Sequence, residues 1–423
     1  MTSRLQANRG FIKEAQTAPG EREPFSLARM GVVWSPLVVP GRIQMRFRLS
    51  CLALVFALAI PAAAQDRGAE VRTAFTRARH LKHGINASEW FAQRHEYPAE
   101  YTDRYIDAGD IALMAKLGFD HVRLSIDPVP LATSMNGAQG QTGDFLARLD
   151  RAVDTMLADG LAVVIDVHPS DDYKQRMRSD DEAVERFAML WRRLAAHYAG
   201  RDPNMVFFEV LNEPEVNDPY RWYGIQTRVA AAIREAAPKN TIIATGANWS
   251  DLPDLLAMTP LADGNAIYTF HFYEPHEFTH QGATWGAPWW STTHSIPYPA
   301  TESSMPELLK EVPDAAERYE LERYWLDGWN AHRIRLTIDE AAAWGRENHV
   351  PLICDEFGVF RDDSDPVSRA NWIRDVRTAL EADGIGWAMW DYRGGFGVVT
   401  KQDGQPAQVD ETVVKALGLS GRE

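Results

Sequence analysis

Residues Val206–Glu215 read VFFEVLNEPE, an apolar, β-prone run that carries three glutamates within seven positions. A buried carboxylate without a partner is costly, so a strand that carries one either pairs it or uses it. Apart from Glu209, Val206 to Leu211 is apolar, as expected of a strand covered on both faces. Alternation puts Phe207, Glu209, Leu211 and Glu213 on one side and Asn212 on the other. Pro214 lacks an N–H and ends the strand. Glu213 therefore falls at the strand's C-terminal end, where parallel α/β proteins place their reactive groups. Glu215, beyond the proline, reads as a solvated loop residue.

Working outward, short β-branched apolar runs alternate with helical patterns at intervals suited to βα units. The expected strands lie near Leu81–Asn86, His121–Ile126, Leu161–His168, Met205–Glu213, Thr241–Thr245, Ala266–Phe272, Pro351–Phe357 and Gly384–Asp391. Eight of them predict a (β/α)8 TIM barrel of the α/β class, in a single domain. Helical segments fit between, as at Asp181–Tyr198, Tyr220–Ala237, Asp314–Asn348 and Asp365–Ala382. One interval breaks the rhythm: after strand 6, from Tyr273 to about Asp314, the chain is aromatic-rich and without period, as expected of a functional lid or binding wall.

The N-terminal region reads differently. Met45–Gln65, MRFRLSCLALVFALAIPAAAQ, has Arg46 and Arg48, an apolar run, and small residues at Ala62-Ala63-Ala64. That is the plan of a secretory signal peptide, too short and wrongly flanked for a membrane span. We expect translation to start at Met45, residues 1–44 to be a disordered, mis-assigned upstream extension, residues 45–64 the signal, and residues 65–423 the catalytic domain. Export to the periplasm or the medium follows. The 423-residue chain has 44 Lys/Arg and 59 Asp/Glu; 8 and 3 of these fall in residues 1–64, which leaves a formal charge of −20. So acidic a surface argues against nucleic acid or anionic membrane as partner. Cys51 leaves with the signal and Cys354 remains alone, so the fold relies on its core rather than on disulfides.

The strand ends carry Arg123, His168, Asn212, Glu213, His271, Tyr273, Glu356 and Trp390. Polar groups that recur at one end of successive strands converge on one mouth of a barrel. Two carboxylates from strands four and seven suit glycoside hydrolysis, in which one carboxyl protonates the leaving oxygen and the other attacks the anomeric carbon. Asn212-Glu213-Pro214, His271-Phe-Tyr273, Cys354-Asp-Glu356-Phe-Gly358 and Gly386-Trp-Ala-Met-Trp390 resemble glycoside hydrolase family 5, the retaining cellulase-like barrels. The resemblance extends to Val122-Arg123-Leu124 and Asp166-Val-His168. It implies that Glu213 is the acid/base and Glu356 the nucleophile. It also implies that Asn212 bonds the sugar 2-hydroxyl, that Arg123 and His168 support the carboxylates, that His271 and Tyr273 flank Glu356, and that Trp390 floors the reacting sugar. The acid should have a raised pKa and the nucleophile donors that keep it ionised. Arg123 is equally suited to pairing with Glu209 inside the barrel.

Phe278–Trp285 resembles a loop of some family members with β-glucanase activity, which makes His280 and Trp285 candidate substrate contacts. Trp90, Trp222, Trp249, Trp285, Trp289 and Trp290 lie in or near expected loops, and indoles suit the apolar faces of sugars. The His276/His280 spacing could ligate zinc on a helix, but Pro275 speaks against a helix there; no cofactor or metal is expected. The reading is a monomeric, exported, retaining endo-1,4-β-glucanase acting on a β-glucan. β-Mannanase and exo-β-1,3-glucanase share the same catalytic pair, and a non-catalytic glycan-binding barrel is the alternative from another class.

Overall fold

The computed structural model describes residues 62–138, 140, 144–301, 309, 310, 312 and 314–419. The expected upstream extension and most of the expected signal peptide lie outside them, although a helix, Ala62–Ala78, begins within Ala62-Ala63-Ala64.

Eight strands, β1 (His83–Phe91), β2 (His121–Ile126), β3 (Ala162–Val167), β4 (Val206–Glu209), β5 (Thr241–Thr245), β6 (Ala266–Phe272), β7 (Leu352–Phe357) and β8 (Gly386–Met389), pair in sequence order. The β1–β8 pairing, also parallel, closes the barrel. Side-chain alternation turns every second residue inward, and these inward positions change character along the strands. Towards the N-terminal ends of the strands, Ala162, Val164, Phe207, Ile243, Ile267 and Ile353 pack into an apolar plug. Towards the C-terminal ends the inward positions are polar, among them Asn86, Arg123, Asp166, Glu209, Thr269 and Asp355, all within 1% of full burial. The opposite faces of the strands, such as Val163, Ile165 and Phe208, join the larger core beneath the helices.

Several helices start on an aspartate that caps them. Asp180 accepts from the amides of Glu182 and Ala183 to open helix Asp181–Tyr198. Asp218 does the same for helix Pro219–Ala236, and Asp365 accepts from the Ser368 amide to cap helix Pro366–Ala382. These caps satisfy amides that a helix start leaves without partners.

The long helical pattern expected over Asp314–Asn348 is two helices, Ala315–Leu326 and Ala331–Asn348. Gly328 adopts a left-handed φ of 65° between them, and Asn330 caps the second by accepting from the amides of His332 and Arg333. β4 is shorter than expected: it stops at Glu209, and Glu213 has a left-handed φ of 42°. The strict alternation expected through Glu213 therefore fails after Glu209. Among the described residues no helix is long and apolar enough to cross a membrane.

Candidate active site

Arg123 on β2 organises the barrel mouth. Fully buried, it donates from Nε and Nη2 to the two oxygens of Glu209, at 2.6 and 2.7 Å. Its Nη1 reaches Asn86 Oδ1 at 3.0 Å and Glu356 Oε1 at 2.5 Å, and Nη2 also meets Asn212 Oδ1 at 2.9 Å. Arg123 thus holds both expected partners, Glu209 and Glu356, and such a bidentate fork fixes direction as well as charge. Burial disfavours its charge, but Asp166, Glu209, Glu356 and Asp355 outweigh this and hold the guanidinium firmly protonated.

Glu356 takes its second oxygen to the hydroxyl of Tyr273, which donates at 2.9 Å. His271 stands between the two expected catalytic carboxyls. Its Nδ1 lies 2.9 Å from Glu213 Oε1 and 3.5 Å from Glu356 Oε2, and its Nε2 lies 3.3 Å from Asp355 Oδ1. One oxygen of Glu213, one of Glu356 and a His271 nitrogen fall within 4.8 Å of one another. On the other flank, Asp166 Oδ2 fixes His168 Nδ1 at 3.0 Å, and His168 Nε2 meets Asn212 Nδ2 at 3.1 Å. The His168 ring stacks at 5.7 Å on Trp390, which lines the cleft.

Local backbone irregularities make this convergence possible. Strand register shifts in β7 between Cys354 and Phe357. Cys354 and Phe357 join the outer core while Asp355 and Glu356, consecutive in sequence, both point into the barrel. A bulge re-aims a side chain in this way. At β4 the left-handed turn at Glu213 lets Asn212 and Glu213 both reach the site, which alternation would have separated.

The protonation pattern differs from the expectation of a raised acid. Burial works against the Glu213 charge, but the hydrogen bond from His271, its charge and those of Lys174 and His168 prevail and hold the carboxyl down to about 2. Burial likewise disfavours protonated His271, and Glu356, Asp355 and Glu213 reverse that and hold it charged. Both directions favour placing the proton of the Glu213–His271 pair on the imidazole. Burial and the Glu213 charge raise the Glu356 carboxyl, against His271 and Arg123.

Seven of the eight strand-end residues line one cleft of about 1290 Å³, and the eighth, Arg123, lies buried beneath them, bonded to Glu356 and Asn212. Trp249 and Trp285, each 49% exposed, line it with Trp289 and His280. Trp90 does not: it is buried, and its Nε1 donates to Thr102 O at 2.7 Å, so packing rather than sugar accounts for it. Trp222 is likewise buried, donating to Thr245 O. Glu215, expected in solvent, is 4% exposed and ion-paired with Lys174 at 3.0 Å. A helix does form after Pro275, but it spans only His276–Thr279. The His276 ring and that of His280, just past the helix end, stack at 5.1 Å; His276 also stacks on Trp290, against which His280 lies tilted. Sequence reasoning missed Asn86, Asp355 and Lys174. For Asp355 a signal existed, since it is a second carboxylate inside an apolar strand, as Glu209 is.

The sequence model of the cellulases, glycosyl hydrolase family 5, matches residues 82–395. The chain belongs to glycosyl hydrolase family 5. This family 5 hydrolase is 30% identical over 319 residues to endoglucanase C of Acetivibrio thermocellus, across 74% of this chain and 91% of that one. It is 29% identical over 363 residues to endoglucanase 3 of Fibrobacter succinogenes, across 81% and 53%. Among solved structures it is similar to the endoglucanase Cel5A of Thermotoga maritima, with a TM-score of 0.64 and 27% identity over 81% of this chain and 99% of that one. The same Cel5A in complex with mannotriose gives a TM-score of 0.62 and 26% identity.

Proposed function

We propose that this family 5 glycoside hydrolase cleaves internal β-1,4-glucosidic bonds of a glucan by double displacement, with Glu356 as nucleophile and Glu213 as acid/base. The observation that carries the reading is the close approach of the two carboxyls, oxygens within 4.8 Å across His271. A retaining pair stands about 5 to 5.5 Å apart, whereas an inverting pair needs about 6.5 to 9.5 Å to admit a water. Arg123 and Tyr273 each donate to one oxygen of Glu356. They orient the carboxylate for attack on the anomeric carbon and stabilise its charge. His271 donates to Glu213, and transfer of that proton to the carboxyl as the leaving oxygen gains charge supplies the acid. Once the glycosyl-enzyme has formed, Glu356 is neutral and Glu213 takes a proton from water. Trp390 offers its face to the reacting sugar. Asn212, held between Arg123 and His168, presents its amide to the 2-hydroxyl. The names of the relatives support a cellulase-type substrate, and the open, tryptophan-lined cleft suits internal attack on a chain.

Replacing Glu356 with Gln should abolish turnover. With Glu213→Gln, an aryl glycoside that has a good leaving group should still form the glycosyl-enzyme, and azide should restore turnover to yield a β-glycosyl azide. An α-azide, or inverted product from the wild type by NMR, would refute the assignment. The mannotriose complex of Cel5A favours β-mannan as a second substrate, and product analysis on β-1,4-glucan and β-mannan separates the two. Export through residues 45–64 belongs to the same proposal. It requires the exported protein to begin near Gln65, and recovery of residues 1–44 on it would reject that processing.

A further inference from the structure

The left-handed backbone at Glu213 is held from behind by a side-chain clamp. Glu215, two residues on, is 4% exposed. Its Oε1 lies 3.0 Å from Lys174 Nζ. Its Oε2 accepts from Gln175 Nε2 at 3.1 Å and Arg178 Nη2 at 3.2 Å. Arg178 Nε also donates to the Glu215 carbonyl. The backbone adds a second hold. Glu215 bridges Asn248, Val216 donates to Ala247 O, and Trp249 donates to Pro214 O at 2.9 Å. A left-handed residue with a side chain persists only where its surroundings over-determine it, and here they do so on both sides of Pro214.

The clamp also places a charge. Lys174 is 3% exposed, lines the cleft, and has Asp171 as its other acidic neighbour at 3.4 Å. Its ammonium acts on Glu213 along with His271 and His168. Glu356, Asp251, Tyr273 and His280 are the other titratable groups whose fields couple to Glu213.

We propose that Glu215 is a positioning residue for Glu213. Gripped by Lys174, Gln175 and Arg178, it fixes the acid/base in its left-handed turn, and it balances the Lys174 ammonium that would otherwise overcharge the acid side of the cleft. The inference rests on the acid/base role given to Glu213.

The test is a pH profile of kcat/KM on cello-oligosaccharides for Lys174→Gln, Glu215→Gln and the double variant. Loss of the cation should move the basic limb, at which the Glu213–His271 pair gives up its proton, upward by about half a unit or more. Loss of the anion should move it downward by a similar amount, and the double variant should lie near the wild type. Glu215→Ala, which also frees the loop, should lower kcat/KM on cello-oligosaccharides about 10- to 100-fold, and an activated aryl cellobioside about 3-fold or less, because it needs little protonation. Limbs that stay put in both single variants, or move the same way in both, would overturn the proposal, as would equal losses on the two substrates. Glu213→Gln on the same pair of substrates is the control. Should it show no leaving-group dependence, the failure lies with the role of Glu213 and not with the clamp.

Discussion

Tyr273 and Arg123 grip opposite oxygens of Glu356, so each can be removed to ask what it contributes. Tyr273→Phe takes away a donor that favours the ionised carboxylate, and the Glu356 pKa should rise further. Glu356 must be ionised to act as the proposed nucleophile, so the acidic limb of kcat/KM should move to higher pH and kcat should fall; an unmoved limb would separate Tyr273 from that role. The residue triad within 4.8 Å, Glu213, His271 and Glu356, has donors a cation could take. The proposed chemistry needs only the carboxyls, so exhaustive chelation should leave turnover unaltered, and loss restored by zinc would contradict it. Much at this scale was legible beforehand, because Glu209 sits inside an apolar run while Glu213 and Glu356 fall at or near the C-terminal ends of expected strands. The environment of Glu215 was not. Its partners Lys174, Gln175 and Arg178 come from a segment about 40 positions earlier, and nothing local to NEPE signals them. The low Glu213 pKa was hidden for the same reason, since it depends on the distance to His271.

At the scale of elements, periodicity located strands and helices well and their ends poorly. β2, β5 and β6 match their expected limits, while β4 ends four residues early. Strand endings and bulges depend on tertiary demands, here the need to turn Glu213 and Glu356 to one point. The break in the Asp314–Asn348 pattern did have a local signature, Gly328 followed by the capping Asn330. The aromatic segment after β6 carries Trp285, whose ring packs edge-on against Phe360 at 5.1 Å while half of it stays in solvent. Alanine at Trp285 should weaken binding of long cello-oligosaccharides by about 1 kcal/mol or more, measured by calorimetry on the Glu356→Gln protein. Unchanged affinity would return Trp285 to loop packing. Why Trp249 lies exposed while Trp90 is buried was beyond a single sequence, since both follow or end strands and only neighbours such as Thr102 decide between them.

For the molecule as a whole, the alternation of strand and helix determined the barrel, and the barrel gathered strand ends scattered from Arg123 to Trp390. Charge follows the same logic. Among the described residues, nine carboxyl side chains line the cleft against two strong cations, Arg94 and Lys174. A carboxymethylated glucan should therefore show a KM that falls as salt rises, whereas a neutral glucan should not; equal salt dependence would show that the field does not reach the substrate. Cys354 gives the barrel a clock. Its thiol is fully buried one residue short of the Asp355–Glu356 pair, and burial pushes its pKa well up, so a thiol reagent in solvent finds neither access nor thiolate. Labelling of the native protein can advance only as fast as β7 comes free of its neighbours. Under excess reagent the rate of modification at Cys354 would time the opening of the closed sheet itself. A tight substrate analogue in the cleft should slow that clock in proportion to its occupancy.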